Sequence, residues 1–330
     1  MTRAAVAVLG AGAWGVALAN VAAQGRARVS LWAHDPQAAQ ALARDRENTR
    51  RLPGLPFAAA VAPTADISVL RDVDIVLAVT PAQAIRMTAR AARPHMRDGV
   101  AFIICAKGIE RDRHRFLSEV AAEELPQARI AVLSGPSFAV DVCRGLPTAV
   151  TLAAHDEPLA QRLCEELSTK TFRLYRSTDV RGVEIGGAAK NVLAIAAGMS
   201  HGRGLGASAQ AALIARGFAE LMRLGRALGA RQETLMGLSG LGDLVLTCGS
   251  AQSRNFALGE ALGRGVPTED AAHGKLAEGA FTARVLVEMA RAHDVELPIS
   301  EAVDAILSAR LSVDGAIEAL LMRPLKAEDE

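Results

Sequence analysis

The chain has 330 residues, enough for about two domains, and half of them are apolar, so a substantial aliphatic core can form. Its 37 basic and 36 acidic residues give a formal charge of +1, which argues against binding of nucleic acid or membrane surfaces driven by net charge. The four cysteines are far apart, so we predict neither a disulfide framework nor a metal site. No apolar run approaches the roughly 18 residues of a membrane span, so we expect a soluble protein, and the cysteine spacing fits a cytoplasmic location.

The first predicted element is a buried strand at residues 5–9. It is followed by Gly10, Gly12 and Gly15 in the pattern G-x-G-x-x-G, and then by a helix-forming segment at residues 16–19. In such a unit the first glycine permits a tight turn, the second lets the backbone approach a pyrophosphate, and the third brings helix and strand together. The helix N-terminus also offers free N–H groups to phosphates. We therefore predict a dinucleotide site; an ordinary glycine turn is the alternative.

Strand and helix signals then alternate through the first half of the chain. Strands are predicted at residues 29–33, 74–79, 101–105, 130–133, 148–152 and 172–175, with helices such as 82–92 and 158–167 between several of them. Most of these strands are continuously apolar, as expected where both faces are buried. The alternation predicts an α/β fold, with a Rossmann-like, doubly wound parallel sheet in a dinucleotide-binding domain at residues 1–182.

The strand signal stops after about residue 182. Alanine- and leucine-rich segments follow at residues 188–200, 209–228, 256–262, 280–293 and 300–308. We predict an all-α C-terminal domain over residues 183–330 that carries substrate-binding and catalytic groups.

The residues at the end of the second predicted strand do not decide between NAD and NADP. Asp35 lies near the position where an acidic residue would bind the ribose 2′-OH of NAD. Aspartate before a first-turn proline, here Pro36, is also a good helix N-cap. In that case His34, with Arg50 and Arg51 downstream, would favour the 2′-phosphate of NADPH. We expect NADPH or NADH, with NADP favoured.

Two polar segments follow predicted strands, where ligands of such sheets bind. Lys107 comes directly after the strand at 101–105, and a solvated loop lysine is the alternative. The loop at residues 134–139 follows the next strand and contains Ser137. This serine could cap a helix, or the loop could offer N–H groups to a ligand oxygen.

Lys190 stands in a helix that is otherwise almost entirely apolar or small, at residues 186–198. Such a helix is normally buried, and burial lowers the pKa of an ammonium group. A lysine of this kind can exchange a proton near neutral pH. The alternative is a side chain that reaches water from a half-buried helix.

The segment at residues 238–256 ends in Ser253, Arg254 and Asn255. The planar guanidinium of Arg254 suits a phosphate, and its two neighbours add neutral donors. Asp243, earlier in the segment, could orient the arginine or the lysine, or bond a substrate hydroxyl. Alternatively, Ser253 caps a helix and Arg254 is a surface charge.

Together these segments resemble bacterial NAD(P)-dependent glycerol-3-phosphate dehydrogenases. The matching stretches are G-A-G-A-W-G from residue 10, A-K-G-I-E from 106, G-P-S-F-A from 135, K-N-V-L-A-I-A-A-G from 190, G-L-G-D-L from 240 and S-R-N-F from 253. Their order agrees, and the match extends over nearly the whole chain. The stretches from 190 and 253 are specific, whereas the glycine pattern is not.

The resemblance implies reduction of dihydroxyacetone phosphate to sn-glycerol 3-phosphate, the backbone precursor of phospholipids, with Lys190 as proton donor and acceptor. The other substrate-binding positions that it implies are Lys107, Gly135, Ser137, Asp243, Ser253, Arg254 and Asn255. Besides the three glycines, the cofactor-binding positions that it implies are Ala13, Trp14, His34, Arg51, Lys107, Ala139, Arg254, Leu276 and Glu278.

Two positions depart from the family's usual sequence. Ala13 stands where serine is frequent, and Arg51 stands where tyrosine is common before Leu-Pro-Gly, which leaves the choice between NAD and NADP open. The rival enzyme is a two-domain dehydrogenase of the 3-hydroxy-acid or 6-phosphogluconate type. A nucleotide-sensing protein without turnover is the rival of another class. The oligomeric state is open, with a homodimer as one option.

Overall fold

The computed structural model describes residues 4–26, 28–272 and 277–324. Contacts divide the chain into two units: residues 1–187 with 230–243, and residues 188–229 with 244–330. The predicted domain boundary after residue 182 stays a prediction.

Strands occur only in the first unit, as far as the described residues go. They are β1 Val6–Leu9, β2 Val29–Trp32, β3 Val61–Thr64, β4 Ile75–Ala78, β5 Ala101–Ile104, β6 Ile109–Glu110, β7 Arg115–Phe116, β8 Arg129–Ser134, β9 Thr148–Ala153 and β10 Phe172–Ser177. The helices are α1 Ala13–Ala23, α2 Pro36–Asp45, α3 Ile85–Ala92, α4 Leu117–Glu124, α5 Ala139–Cys143, α6 Glu157–Leu167, α7 Val180–Gly202, α8 Gly206–Ala227, α9 Gln232–Met236, α10 Asp243–Cys248, α11 Arg254–Gly263, α12 Thr268–Ala272, α13 Glu278–Ala292, α14 Pro298–Leu307 and α15 Val313–Leu321.

Eight strands form one sheet in the order β10-β9-β8-β5-β4-β1-β2-β3, while β6 and β7 pair separately. Strand β1 is central, with Val6 opposite Val29 on one side and Ile75 on the other. Alternate residues of β1 enter two different hydrophobic clusters, Val6 and Val8 in one and Ala7 and Leu9 in the other. The sheet is therefore buried on both faces, and the predicted doubly wound α/β fold is confirmed.

The expectation of a wholly parallel sheet is wrong at one junction, where β8 and β9 run antiparallel. Residues 135–147 connect these strands and contain only α5, a helix of five residues. Such a helix rises about 7.5 Å, whereas a six-residue strand extends for about 20 Å. The connection lacks the long crossover helix that usually joins parallel strands, and the chain instead reverses direction, so that Ser134 at the end of β8 lies opposite Thr151 of β9.

Strand β3 was not predicted from the sequence. It includes Pro63, which has no backbone N–H to donate to a neighbouring strand. The strand lies at the edge of the sheet and pairs only with β2, where a proline is tolerated.

The second unit is built from helices, as predicted, and α7 and α11 pack in it at backbone contact. Gly198 and Gly202 of α7 face Gly259 and Gly263 of α11. A Cβ atom on any of the four would overlap a backbone oxygen of the facing helix, which is that of Phe256 for Gly198, Glu260 for Gly202, Ile195 for Gly259 and Met199 for Gly263. We call these four residues the glycine seam. They bring the second half of α11 against α7.

No helix in residues 4–26, 28–272 and 277–324 combines the length and the apolar character needed to cross a membrane. In the same ranges, no cluster of three or more His, Cys, Asp or Glu side chains could hold a metal ion.

Candidate active site

The glycine-rich loop of the first unit has the geometry that a dinucleotide requires. Gly10 has φ +114°, and a Cβ atom there would lie 2.9 Å from the backbone of Val79. A Cβ atom on Gly15 would overlap the oxygen of Gly10. Gly12, by contrast, has nothing within 4 Å of its Cβ position. It is the N-cap of α1 and supplies no side chain to the helix N–H groups, so the loop fits a phosphate group approaching from open space.

Asp35 caps α2, as one of the two interpretations predicted. Its Oδ1 accepts a hydrogen bond from the backbone N–H of Gln37 at 2.9 Å, and Pro36 is the first residue of the helix. His34 is exposed, with its ring centroid 5.8 Å from that of Trp32. Arg51 is exposed in the loop that follows α2. The basic side chains expected near the adenosine are therefore accessible.

Lys107, Gly135, Ser137 and Asp243 come together in the first unit. Lys107 Nζ lies 2.6 Å from Asp243 Oδ2 and donates to the carbonyl oxygen of Gly135 at 2.9 Å. The Ser137 hydroxyl donates to the same carbonyl at 3.0 Å. The Asp243 side chain is 1% exposed and that of Lys107 is 16% exposed, so water screens this ion pair only weakly. Lys107 is not the solvated loop lysine of the alternative interpretation.

The loop that carries Ser137 is fixed by its glycine rather than by a helix cap. Gly135 has φ +148°, and a Cβ atom there would lie 2.9 Å from Cα of Val150. The N-cap of α5 is Phe138, so the idea that Ser137 caps a helix is wrong. Ala139 is the first residue of α5. Beside the loop, the hydroxyl of Ser134 is buried and has no hydrogen-bond partner in the described part of the chain.

Lys190 is buried in the second unit, with 7% of the residue exposed. Its Nζ donates to Thr247 Oγ1 at 2.8 Å. The alternative of a side chain that reaches water is therefore wrong. Sequence reasoning did not assign a role to Thr247, although a hydroxyl one helical turn after Asp243 was the signal for it.

Asn255 joins three helices of the second unit. Its Nδ2 donates to Asn191 Oδ1 on α7 at 2.9 Å, and its Oδ1 accepts from the backbone N–H of Gly279 on α13 at 3.0 Å. Because Asn191 follows Lys190 directly, this network fixes the beginning of α11 beside the part of α7 that carries the lysine.

Ser253 and Arg254 begin α11. Ser253 is its N-cap and accepts from the backbone N–H of Phe256 at 3.2 Å, so the predicted cap is confirmed. Arg254 is the first helical residue and is exposed.

The remaining predicted cofactor positions are scattered along the chain. Trp14 lies in the first turn of α1, with its ring centroid 6.3 Å from that of Phe172, and Ala13 precedes it. Glu278 is the first residue of α13. Leu276 lies outside the described residues.

Each unit also contains a buried glutamate that sequence reasoning missed. Glu184 accepts hydrogen bonds from the backbone N–H and the hydroxyl of Ser118, at the start of α4. Glu220 accepts from the N–H groups of Ile299 and Ser300, at the start of α14. Burial raises the pKa of each carboxyl to about 7, against these opposing hydrogen bonds. Both side chains bind the free N–H groups of another helix.

Two family models match most of the chain. The N-terminal model of NAD-dependent glycerol-3-phosphate dehydrogenase matches residues 5–160, and the C-terminal model of the same family matches residues 179–318.

Relatives and solved structures agree with these models. A glycerol-3-phosphate dehydrogenase [NAD(P)+] of Bradyrhizobium sp. strain BTAi1 is 60% identical over 98% of both chains. The crystal structure of glycerol-3-phosphate dehydrogenase from Coxiella burnetii is 40% identical, covers 97% of this chain and 99% of its own, and superposes with a TM-score of 0.93. The yeast enzyme is 25% identical over 96% of this chain and 99% of its own, with a TM-score of 0.83. This chain therefore belongs to the NAD-dependent glycerol-3-phosphate dehydrogenase family.

Proposed function

We propose that this protein reduces dihydroxyacetone phosphate to sn-glycerol 3-phosphate with NADPH or NADH, in a reversible reaction that supplies the backbone of glycerophospholipids. The observation that carries the proposal is the burial of Lys190, an amine in an apolar helix whose Nζ is held by Thr247. A protein that only bound nucleotide would not need such an amine.

The residues that would hold the cofactor begin with the glycine-rich loop and the first turn of α1. Open space at Gly12 and the N–H groups of the helix end suit the pyrophosphate. When bound, the reduced nicotinamide supplies the hydride. The remaining proposed contacts are Ala13, Trp14, Gly15, His34, Arg51, Lys107, Ala139, Arg254, Leu276 and Glu278.

Lys190 acts on the oxygen of the ketone in this proposal. Negative charge develops on that oxygen during reduction, and an ammonium group stabilises it and then donates the proton. An ammonium has three N–H donors, and one is directed at Thr247 Oγ1. The threonine thus fixes the direction of the amine.

The beginning of α11 binds the phosphate of the substrate. Arg254 supplies a guanidinium, and the N-terminus of the helix adds partial positive charge. Asn255 has a second Nδ2 hydrogen beyond the one given to Asn191. Binding energy from this remote phosphate orients the reacting carbonyl.

Lys107, Gly135, Ser137 and Asp243 complete the substrate set, together with Ser253. Asp243 and the carbonyl oxygen of Gly135 take two of the three N–H donors of the Lys107 ammonium, and the third then points in a fixed direction. This arrangement suits the recognition of a substrate oxygen.

The test is the oxidation of NADPH and NADH with dihydroxyacetone phosphate, followed in the wild type and in Lys190→Ala. We expect kcat to fall by about 10² to 10⁴ in the variant, with binding of the nucleotide retained. Lys170→Ala, at an exposed position, is the matched control and should keep full activity. Comparable turnover in Lys190→Ala, or a preference for β-keto acids or sugar acids, would overturn the proposal.

The phosphate site has its own test. Arg254→Ala should raise the KM for dihydroxyacetone phosphate much more than it changes kcat. Arg264→Ala, at the other end of α11, removes an exposed guanidinium and should leave KM unchanged. An unchanged KM in Arg254→Ala would place the phosphate elsewhere.

The proposal extends to a homodimer located in the cytoplasm, with no nucleic-acid partner. Light scattering during size-exclusion chromatography measures the mass in solution, and a mass of one chain would exclude the dimer.

A further inference from the structure

Asn48 connects two segments of the first unit that are distant in the sequence. Its Nδ2 donates to the carbonyl oxygen of Ala11 at 2.7 Å, inside the glycine-rich loop. Its Oδ1 accepts from the backbone N–H of Arg51 at 3.0 Å. The residue is 8% exposed. One buried side chain thus sets the distance between the glycine-rich loop and the backbone of Arg51.

The backbone of Asn48 strengthens this connection. Its carbonyl oxygen accepts from the N–H groups of Leu52 at 2.8 Å and Arg51 at 3.2 Å, which closes a tight turn. Leu52 is buried and anchors the end of the turn. The Arg51 backbone therefore has little freedom to move.

The glycine-rich loop has a second attachment beside the first. The N–H of Gly10 donates to the carbonyl oxygen of Trp32 at 3.0 Å, two residues before His34. The loop is thus tied at Gly10 to the segment of His34 and at Ala11 to the segment of Arg51. Both basic side chains are placed relative to the same loop.

Charge around the turn favours an anion. Arg50 and Arg51 are exposed, and neither guanidinium pairs with a carboxylate in the residues described. The nearest carboxylates in the sequence are already engaged, Glu47 with the backbone N–H of Gly54 and Asp45 with the guanidinium of Arg44. The turn therefore presents cationic groups whose ligand would be a phosphate beside the ribose of the nucleotide.

We propose that Asn48 is a positioning residue that sets the preference for NADPH over NADH. It holds the Arg51 backbone at a fixed distance from the glycine-rich loop, so that the guanidinium meets the 2′-phosphate without the entropic cost of first ordering the turn. This inference rests on the proposed function, since it requires the nucleotide to bind at that loop.

The test measures equilibrium Kd values for NADPH and NADH by fluorescence titration of purified protein. In Asn48→Ala we expect the Kd for NADPH to rise about tenfold and the Kd for NADH to change by less than about threefold. A purely structural role would raise both Kd values by the same factor, and that result would overturn the inference.

Asn20→Ala is the matched control. Asn20 Oδ1 accepts from the N–H of Ala58 at 2.9 Å, and its Nδ2 donates to the carbonyl of Pro56 at 3.2 Å. The variant loses two side-chain bonds to the backbone of the same segment, but away from Arg51. It should leave the ratio of the two Kd values unchanged.

Arg51→Ala separates this inference from the proposed function. If Asn48 acts through Arg51, each single variant and the double variant show the same loss of preference. An unchanged ratio in Arg51→Ala would refute the assignment of Arg51 to the cofactor, and with it this inference. If the ratio of the two Kd values changes in Arg51→Ala but not in Asn48→Ala, only the role of Asn48 is refuted. Should Asn48→Ala not fold, the neutral variant Asn48→Ser replaces the amide with a single shorter hydroxyl, cannot bridge Ala11 and Arg51, and allows the same comparison.

Discussion

In the first unit the Cβ position of Gly12 faces open space, whereas in the second unit the Cβ positions of the glycine seam are blocked by the facing helix. A Cβ atom on Gly12 would meet nothing within 4 Å, and Gly12 has φ −69°, a value open to any residue. A Cβ atom on Gly259 would overlap the backbone oxygen of Ile195. In the first case the absent side chain leaves room for a ligand, and in the second it leaves room for a helix. Spacing in the sequence does not distinguish these two uses.

The largest effect is expected in the seam. Gly259→Ala should lower the free energy of unfolding by roughly 3 kcal/mol or more, because α7 and α11 must separate to admit the methyl group. Urea denaturation measures this loss. Gly315→Ala, in α15, is the control: its Cβ would lie 3.1 Å from the side chain of Leu311 and 3.2 Å from that of Ser312, with no backbone atom among its nearest neighbours, and alanine favours helix, so the loss of stability should be much smaller. Equal stability of the two variants would show that the helices can move apart at little cost.

The buried glutamates extend the comparison of the two units to pH. The pKa of Glu184 and of Glu220 is raised from an ordinary 4.5 to about 7, so the folded state binds more protons than the unfolded chain between these values. Their contribution to stability is therefore complete below pH 4.5 and is lost as the pH rises through about 7.

Glu220→Gln should remove the contribution of Glu220 to the pH dependence of the free energy of unfolding. We expect the loss of unfolding free energy between pH 4.5 and pH 8 to become smaller than in the wild type, by about 1–2 kcal/mol. Glu269→Gln, at an exposed position of α12, should leave the dependence as it is. Identical pH profiles for the wild type and Glu220→Gln would contradict the raised pKa.

Gly12→Ala tests whether the open space at Gly12 is needed for nucleotide binding. The backbone accepts alanine, so the free energy of unfolding should change by less than about 0.5 kcal/mol. The methyl group would occupy the space that a phosphate needs, and we expect the Kd for NADPH to rise about tenfold, or about 1.4 kcal/mol. A large loss of stability with unchanged Kd would mean that Gly12, like Gly259, serves packing.

The smallest effect is expected at Asp35. Asparagine caps helices about as well as aspartate, so Asp35→Asn should change stability by less than about 0.5 kcal/mol. Because Asp35 is engaged with the N–H of Gln37, the Kd values for NADH and NADPH should also remain close to those of the wild type. A clear weakening of NADH binding alone would instead support a ribose contact.

Most of the fold could be predicted because its signals are local. Continuous apolar runs identify central strands such as β1 and β4, and the caps at Asp35 and Ser253 depend on residues two or three positions away. The antiparallel junction was missed because the direction of β9 depends on the form of the connection that precedes it rather than on the composition of the strand. Strand β3 was missed because Pro63 is acceptable only at an edge, and a sequence does not reveal which strands lie at edges.

The candidate site divides in the same way. The sequence indicated Lys107, Lys190 and Asp243 as chemically significant, since charged residues next to or within apolar segments must find partners. Thr247 was missed although it stands one helical turn after Asp243, and Asn48 could not be identified because a polar residue in a loop carries no local signal of burial.

The sequence by itself determined most of the elements, the helix caps at Asp35 and Ser253 and many of the residue types of the site, because these depend on neighbours a few positions away. Only the tertiary structure decided that Lys107 pairs with Asp243, 136 residues away, and that Lys190 meets Thr247, 57 residues away. Such pairs form when the packing of strands and helices brings distant segments together, and the close packing at the glycine seam depends on that arrangement as well.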